Sequence, residues 1–390
     1  MARELAFVLI NPYTIAKSRT GGIIARYIAR TDLNFVAARM FGPSRALVEE
    51  YVEQLRRAAA ATDSATGRLI ADYVWRSYMP NLTTGKRRRV MLLLFEGEDA
   101  VRKIWDVTGS ATLKLGSGQT IRDTYGDYIV DEEGKVLYFE PAVLVAPNLE
   151  RASNALRLWA RYSDSDGGVI EDAVDVDAGQ DVEKTLVLLK PDNFRFRSSR
   201  PGNIIDLLSL SGLRIVAVKK FAMTVSQAEE FYGPVRDVLR AKFAEFGKAR
   251  AAAALSREFG FNVPPEAMDA VCDQLAPLFA QAQFEEIVRF MTGYRPSECT
   301  EAEKKVRGSE ACLALVYEGV NAVNKIRALL GPTDPSKASP GSVRREFGSD
   351  IMVNAAHASD SPENALRELR IIRVEEDTIR DWVEKYYGLE

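Results

Sequence analysis

His357 is the sole histidine in a chain of 390 residues. It lies in Val353-Asn354-Ala355-Ala356-His357-Ala358-Ser359-Asp360-Ser361, where a small apolar run meets a hydroxyl-bearing turn. A neutral imidazole can act as a nucleophile at physiological pH, because its ordinary pKa of about 6.5 leaves most of it unprotonated. The residue type therefore points to covalent chemistry. Taken alone, a histidine beside small apolar residues is more often structural than catalytic, so the rest of the chain decides its weight.

The length, 390 residues, exceeds what one core usually serves and predicts two domains of ordinary size. A composition 46% hydrophobic and 27% charged is that of a globular protein, and a formal charge of -3 provides no basic excess to hold a nucleic acid. Cys272, Cys299 and Cys312 have neither paired spacing nor partners for a disulfide framework or a zinc site. The apolar start, Ala6 to Ile10, is too short for a signal segment, and no later stretch is long enough to span a bilayer. These features predict a cytoplasmic protein without a membrane partner.

The elements that must position His357 are read from periodicity and turn residues. Thr185-Leu-Val-Leu-Leu-Lys190 is an apolar run stopped by Pro191, hence a buried strand. A helix from Pro201 to Gly212, a strand Arg214–Lys219, a helix through Ser226–Tyr232, a strand Cys312–Tyr317, a helix Asn321–Leu330 and a strand Ile351–Ala355 follow. Ser361 before Pro362 is the cap of a last helix. The first half shows the same order from Ala6-Phe-Val-Leu-Ile-Asn11-Pro12, and Met91-Leu-Leu-Leu-Phe-Glu96-Gly97 mirrors Leu313-Ala-Leu-Val-Tyr-Glu318-Gly319. Asn154-Ala-Leu is set against Asn364-Ala-Leu. The repeat predicts a tandem duplication, residues 1–162 and 183–390, joined by the acidic segment 163–182. Each half reads as βαββαβ, an α+β ferredoxin-like sandwich with an antiparallel sheet.

Several motifs of the second half, in order, resemble nucleoside diphosphate kinases. They are Leu189-Lys190-Pro191-Asp192, Tyr232, Glu318-Gly319 with Arg327, the loop Gly331-Pro-Thr333 to Arg344, and Asn354, His357, Ser359 and Glu368. The resemblance implies that His357 takes the terminal phosphate of a nucleoside triphosphate and passes it to a nucleoside diphosphate in a ping-pong reaction. It implies that Arg327 and Arg344 neutralise phosphate oxygens, Thr333 adds a hydroxyl donor, and Lys190 and Asn354 hold the sugar hydroxyl and orient the phosphates. Glu368, supported by Ser359, would hold the imidazole nitrogen that does not attack. Tyr232 and Phe284 would flank the nucleotide, and Mg2+ would arrive with it, with Asp360 at most a distant ligand. Each residue also has a structural reading: Lys190 and Arg327 as solvated charges, Asn354 as a turn cap, Glu368 as a partner of Arg367 or Arg370.

The sequence departs from that family in three places. Tyr232 and Phe284 are separated by 51 residues, read as a helical insertion over about 234–283 with helices at 241–250 and 265–279, and Gln283 falls where the base-stacking residue belongs. Ala358 follows the histidine where the family has glycine. The first half has Asn11 for the lysine, Trp105 for the first arginine and Pro147 for the histidine, with Arg122 matching the second arginine. It reads as a degenerate copy that pairs with the other half as two subunits of a family dimer would. Lys86-Arg-Arg-Arg89 reads as a solvated turn, with phosphate or partner binding as the sharper alternative. Leu115-Gly-Ser-Gly-Gln-Thr120 lacks the third glycine of a dinucleotide loop. Competing functions are a nucleotide-sensing scaffold with little turnover and a phosphohistidine relay to another protein.

Overall fold

A computed structural model describes residues 3–112, 118–171 and 179–389. The chain separates into two compact units, Met1–Phe221 with Leu313–Glu390, and Ala222–Cys312. Among the described residues no helix is long and apolar enough to cross a membrane.

In the first unit the early strands are β1 (Arg3–Ile10), β2 (Asn34–Phe41), β3 (Val90–Glu98), the outlying β-hairpin β4 (Asp127–Val130) and β5 (Val136–Glu140), and β6 (Val143–Leu144). The later strands are β7 (Val182–Leu189), β8 (Arg214–Phe221), β9 (Cys312–Val320) and β10 (Ala356–Ala358). Eight of them form one sheet in the order β6-β1-β3-β2-β8-β9-β7-β10. Each half thus contributes strands in the order fourth, first, third, second, the ferredoxin-like arrangement expected from the sequence. Leu5 to Ile10 of β1 and Leu186 to Leu189 of β7 are buried without alternation, because these central strands are covered on both faces.

The halves meet where β2 pairs with β8 through Arg39 and Lys219, each the sixth residue of its strand. Both cations are buried, and burial lowers both pKa values. Arg39 donates to the carbonyls of Ser163, Glu375 and Glu376, at 3.2, 2.9 and 2.8 Å. Lys219 Nζ donates to the carbonyls of Ile372 and Arg373 and to the Glu376 carboxylate, at 3.1, 2.7 and 3.0 Å. Beside this pairing the helices Thr20–Arg30 and Arg200–Leu208 cross at glycines. A Cβ on Gly202 would lie 2.2 Å from the Gly21 carbonyl oxygen, and one on Gly21 2.5 Å from that of Gly202.

The first part of the acidic segment is built into this unit. Asp166 is buried and accepts from the Ser44 amide at 2.7 Å, Gly167 bridges Phe41, and the Ile170 amide donates to Val216. Residues 172–178 of that segment, and 115–117 of the Leu115–Thr120 stretch, lie outside the described residues. The basic run is only partly solvated: Arg87 donates to the carbonyls of Gly42 and Ser165, and Arg89 is buried.

The strand expected at Ile351–Ala355 is instead β10 at Ala356–Ala358. Asp350 Oδ1 accepts from the amides of Met352 and Val353, both at 2.7 Å, so a side-chain-capped turn occupies the apolar run. Ala355, at φ 70°, then redirects the chain into the sheet.

The second unit holds the helices Val225–Tyr232, Val235–Phe259 and Pro265–Thr292. The two long helices pack through Phe279 against Phe243 and Phe246, with ring centroids 5.0 and 5.9 Å apart. The last helix continues through Pro277 and takes up Gln283 and Phe284, beyond the end at 279 read from the sequence.

Gly202→Ala should destabilise the protein by about 1–3 kcal/mol, because the added methyl group meets backbone atoms rather than a movable side chain. Urea denaturation of the variant checks this.

Candidate functional site

β10 runs antiparallel to β7 with His357 opposite Leu188, and residues two apart on a strand face the same way, so His357 and Ser359 share a side. The helix Pro362–Ile371 begins immediately afterwards. Its cap is Ser361, whose hydroxyl accepts from the Asn364 amide at 3.1 Å. This brings Glu368, buried at the end of the second turn, back over the strand. Glu368 Oε1 lies 3.0 Å from His357 Nε2, and its Oε2 accepts from the Ser359 hydroxyl at 2.6 Å. A carboxylate only accepts, so Nε2 carries the proton and the in-plane lone pair resides on Nδ1. The pairing of Glu368 with Arg367 considered from the sequence is the weaker contact, at 3.8 Å.

Lys190 ends β7, and its amide donates to the Ala355 carbonyl at 2.9 Å. Its buried ammonium donates to Asn354 Oδ1 and the Met352 carbonyl, both at 2.8 Å. Asn354 Nδ2 in turn donates to the carbonyls of Thr333 and Ile351, at 3.0 and 2.8 Å. Arg344 donates to the carbonyls of Gly331 and Ala356, at 2.8 and 3.1 Å, and so ties the loop after the helix Ala322–Leu330 to the start of β10. Arg327, on that helix, is exposed, as is Thr333. Lys190, Asn354, Arg344 and the Thr333 carbonyl thus form one hydrogen-bonded frame around the turn that delivers His357.

Three positioning residues were not singled out from the sequence. Asn193 Nδ2 donates to the carbonyls of Lys190 and Ala355, at 2.9 and 2.7 Å, and fixes the left-handed turn from below. Arg200 joins Asn193 Oδ1 at 2.8 Å to Asp192 at 2.6 Å. Burial pushes the Asp192 carboxyl above its ordinary value, against the pull of Arg200 and Lys190. The available signal was the acid directly after Lys190-Pro191.

Tyr232 and Phe284 belong to the second unit. Tyr232 is buried against Phe231, with centroids 4.9 Å apart. Phe284 is fully buried with the Arg236 guanidinium 3.6 Å from its ring centroid. A ring so covered offers no face to a base, which corrects its reading as a nucleotide-binding residue.

The first half repeats the backbone without the chemistry. The Asn11 amide donates to Ala142 as that of Lys190 does to Ala355, at 3.1 and 2.9 Å. Leu144 pairs with Leu9 as His357 pairs with Leu188. Leu144, not Pro147, therefore stands at the histidine position; the Asn154 and Asn364 match had shifted the register by three residues. Ala146 and Ala155 then stand for Ser359 and Glu368. Trp105 does replace Arg327, each bonding through its carbonyl to the glycine that ends its helix. Arg122 repeats Arg344, donating to Gly109 and Val143 at 2.9 and 3.1 Å. Glu140 fills the space by accepting from Tyr73, from Asn11 at 3.1 Å and from the Ala142 amide at 3.1 Å, while Tyr78 donates to Asn11 Oδ1 at 2.7 Å.

The family model described as nucleoside diphosphate kinase matches residues 183–246 and 280–378. The nucleoside diphosphate kinase of Staphylothermus marinus is 31% identical over 200 residues, which cover 51% of this chain and 98% of that protein. The chain belongs to the nucleoside diphosphate kinase family. A second relative of that name, from Bdellovibrio bacteriovorus, is 31% identical over 190 residues, 49% of this chain and 92% of its own. A solved NDP kinase from Pyrobaculum aerophilum is 29% identical, covers 49% of this chain and 95% of its own, and has a TM-score of 0.35. The match that identifies this nucleoside diphosphate kinase family member holds every residue of the frame around His357 and breaks between 246 and 280, within the two long helices of the second unit.

Burial holds the Glu140 carboxyl above its ordinary pKa, so the fold favours its neutral form. Its contribution to stability is complete below the ordinary carboxylate pKa and is lost as pH rises through the raised value. The stability difference between the wild type and Glu140→Gln should therefore be larger near pH 4 than near pH 7.5, measured by chemical denaturation at each pH.

Proposed function

We propose that residues 183–390 are a catalytic nucleoside diphosphate kinase domain, carrying a helical insertion over about 234–283, and that residues 1–162 are a non-catalytic copy joined to it by the segment 163–182. The observation that carries this reading is the Glu368 carboxylate held between the Ser359 hydroxyl and His357 Nε2. It leaves Nδ1 as the nucleophile. Nδ1 attacks the terminal phosphorus of a nucleoside triphosphate, the bond to the bridging oxygen breaks, and a nucleoside diphosphate leaves. A second nucleoside diphosphate then attacks the phosphohistidine through its terminal phosphate oxygen and regenerates neutral His357.

The exposed Arg327 and Thr333 can reach an incoming phosphate chain, and Arg344 adds positive charge where it holds the loop, since phosphoryl transfer depends on positioning and charge stabilisation. Lys190 and Asn354 orient the ribose and phosphates. Mg2+ enters on the nucleotide, bound chiefly by phosphate oxygens and water. Asp360, exposed and accepting from Asn364 Nδ2 at 2.6 Å, is at most a distant ligand to it. In this reading the first half takes the part of a second subunit, which is supported by its strand β2 beside β8 and its glycine helix against that of the catalytic half.

With Mg2+ and terminally labelled ATP, the protein should acquire acid-labile, base-stable label that moves to GTP when GDP is added. His357→Ala should acquire none, and unchanged transfer in that variant would refute the assignment. Label that forms but does not move would favour a relay, and tight ATP binding without label would favour a sensor. Ser359→Ala should lower kcat about 10- to 100-fold with little change in KM, the usual scale for losing an orienting partner.

A further inference from the structure

Ala355 carries backbone strain two residues before His357. Its φ of 70° is left-handed, where the Cβ of an L-residue crowds the following carbonyl oxygen. The Ala356 amide donates to the Asn354 carbonyl at 2.8 Å, so a three-residue γ-turn of the rare, strained hand closes about Ala355. The turn sets the angle between two residues of the frame. Asn354 enters it and accepts from Lys190 Nζ at 2.8 Å, and the chain leaves it into β10, where His357 meets Glu368. A strained turn persists only where its surroundings hold it.

Two donors hold the Ala355 carbonyl. The Lys190 amide, at 2.9 Å, continues the β7–β10 ladder, whereas Asn193 Nδ2, at 2.7 Å, is a side-chain group brought in from the turn after β7. Asn193 is 1% exposed and uses both ends of its amide: Nδ2 also donates to the Lys190 carbonyl at 2.9 Å, and Oδ1 accepts from Arg200 Nε at 2.8 Å. A buried amide so engaged has one orientation available. The first half builds the same turn with different chemistry. Ala142 has φ 60°, the Val143 amide donates to the Pro141 carbonyl at 2.6 Å, and the Ala142 carbonyl accepts from the Asn11 amide and the Thr14 hydroxyl, at 3.1 and 2.9 Å. Thr14 follows Asn11 by three residues, as Asn193 follows Lys190. An amide in one half and a hydroxyl in the other meet the same carbonyl, which ties the contact to the turn rather than to either residue type.

We infer that Asn193 is a positioning residue for phosphoryl transfer: it holds Ala355 in the left-handed turn and so sets Asn354 and His357 at the angle the reaction uses. The inference rests on the kinase reading of His357. Asn193 acts only through the turn. Without its side chain the strained residue relaxes toward an ordinary negative φ, which swings Asn354 away from Lys190 and tilts the strand that carries His357. Displacement of this kind at a reacting centre costs up to about 100-fold in rate.

The experiment is steady-state transfer from Mg-ATP to GDP by the full chain, comparing the wild type, Asn193→Ala and the double variant Asn193→Ala/Ala355→Gly. Asn193→Ala should lower kcat about 10- to 100-fold with little change in KM. Glycine takes a positive φ without strain, so the double variant should recover most of the lost kcat, a rescue that a role in packing or overall stability does not produce. The carbon chemical shifts of Ala355 in the wild type and in Asn193→Ala report the sign of φ without reference to turnover. Three results overturn the inference: wild-type kcat in Asn193→Ala, a fall in kcat while the Ala355 shifts still report a positive φ, or a double variant as slow as the single one. A wild type that transfers no phosphate instead removes the kinase reading, and the inference with it.

Discussion

Two buried cations lie side by side at the centre of the sheet. Arg39 and Lys219 face each other across the β2–β8 pairing, an arrangement that would split the sheet if it were not neutralised. The neutralising oxygens come from the chain just after the helix Leu149–Arg161 and from the turn after the helix Pro362–Ile371. One pair of charges therefore fixes the seam, the start of the acidic segment and the end of the helix that carries Glu368. The crossing at Gly21 and Gly202 lets the two backbones come close enough for that pairing to form.

On this frame the two halves show how few of the side chains around His357 are needed to hold the backbone. Both keep an arginine, Arg122 or Arg344, that spans the loop glycine and the first residue of the fourth strand, and both place an alanine with positive φ before that strand. The turn geometry is the same where leucine and two alanines stand in the places of the histidine, serine and glutamate. The vacated polar space is taken by Glu140, Asn11 and two tyrosines, a network satisfied within itself.

Much of this was legible in the sequence. The buried strands announce themselves as apolar runs ended by Asn11-Pro12 and Lys190-Pro191, and Ser361-Pro362 marks its helix start within a residue. The joint order of Lys190, Arg327, Arg344, Asn354, His357 and Glu368 drew out the frame around the histidine. What was misread depends on backbone hydrogen bonds that no pattern displays. Asp350 captures two amides and turns Ile351–Val353 away from the sheet, so an apolar run was taken for a strand. The register of the first half was set by a repeated Asn-Ala-Leu, whereas the ladder between Leu9 and Leu144 sets it three residues earlier. Phe284 has the right residue type for a base, but a cation from its own unit already covers the ring.

The near two-fold relation of the halves has a further consequence. In an assembly of identical subunits every substitution at the seam is made twice, and a residue on the axis must face its own copy. Here Arg39 faces Lys219. Two halves on one chain are not bound by that symmetry, and corresponding positions can hold different residues. The strand order is the same in both halves while the residues on the fourth strand differ, so the seam joins two unlike sides.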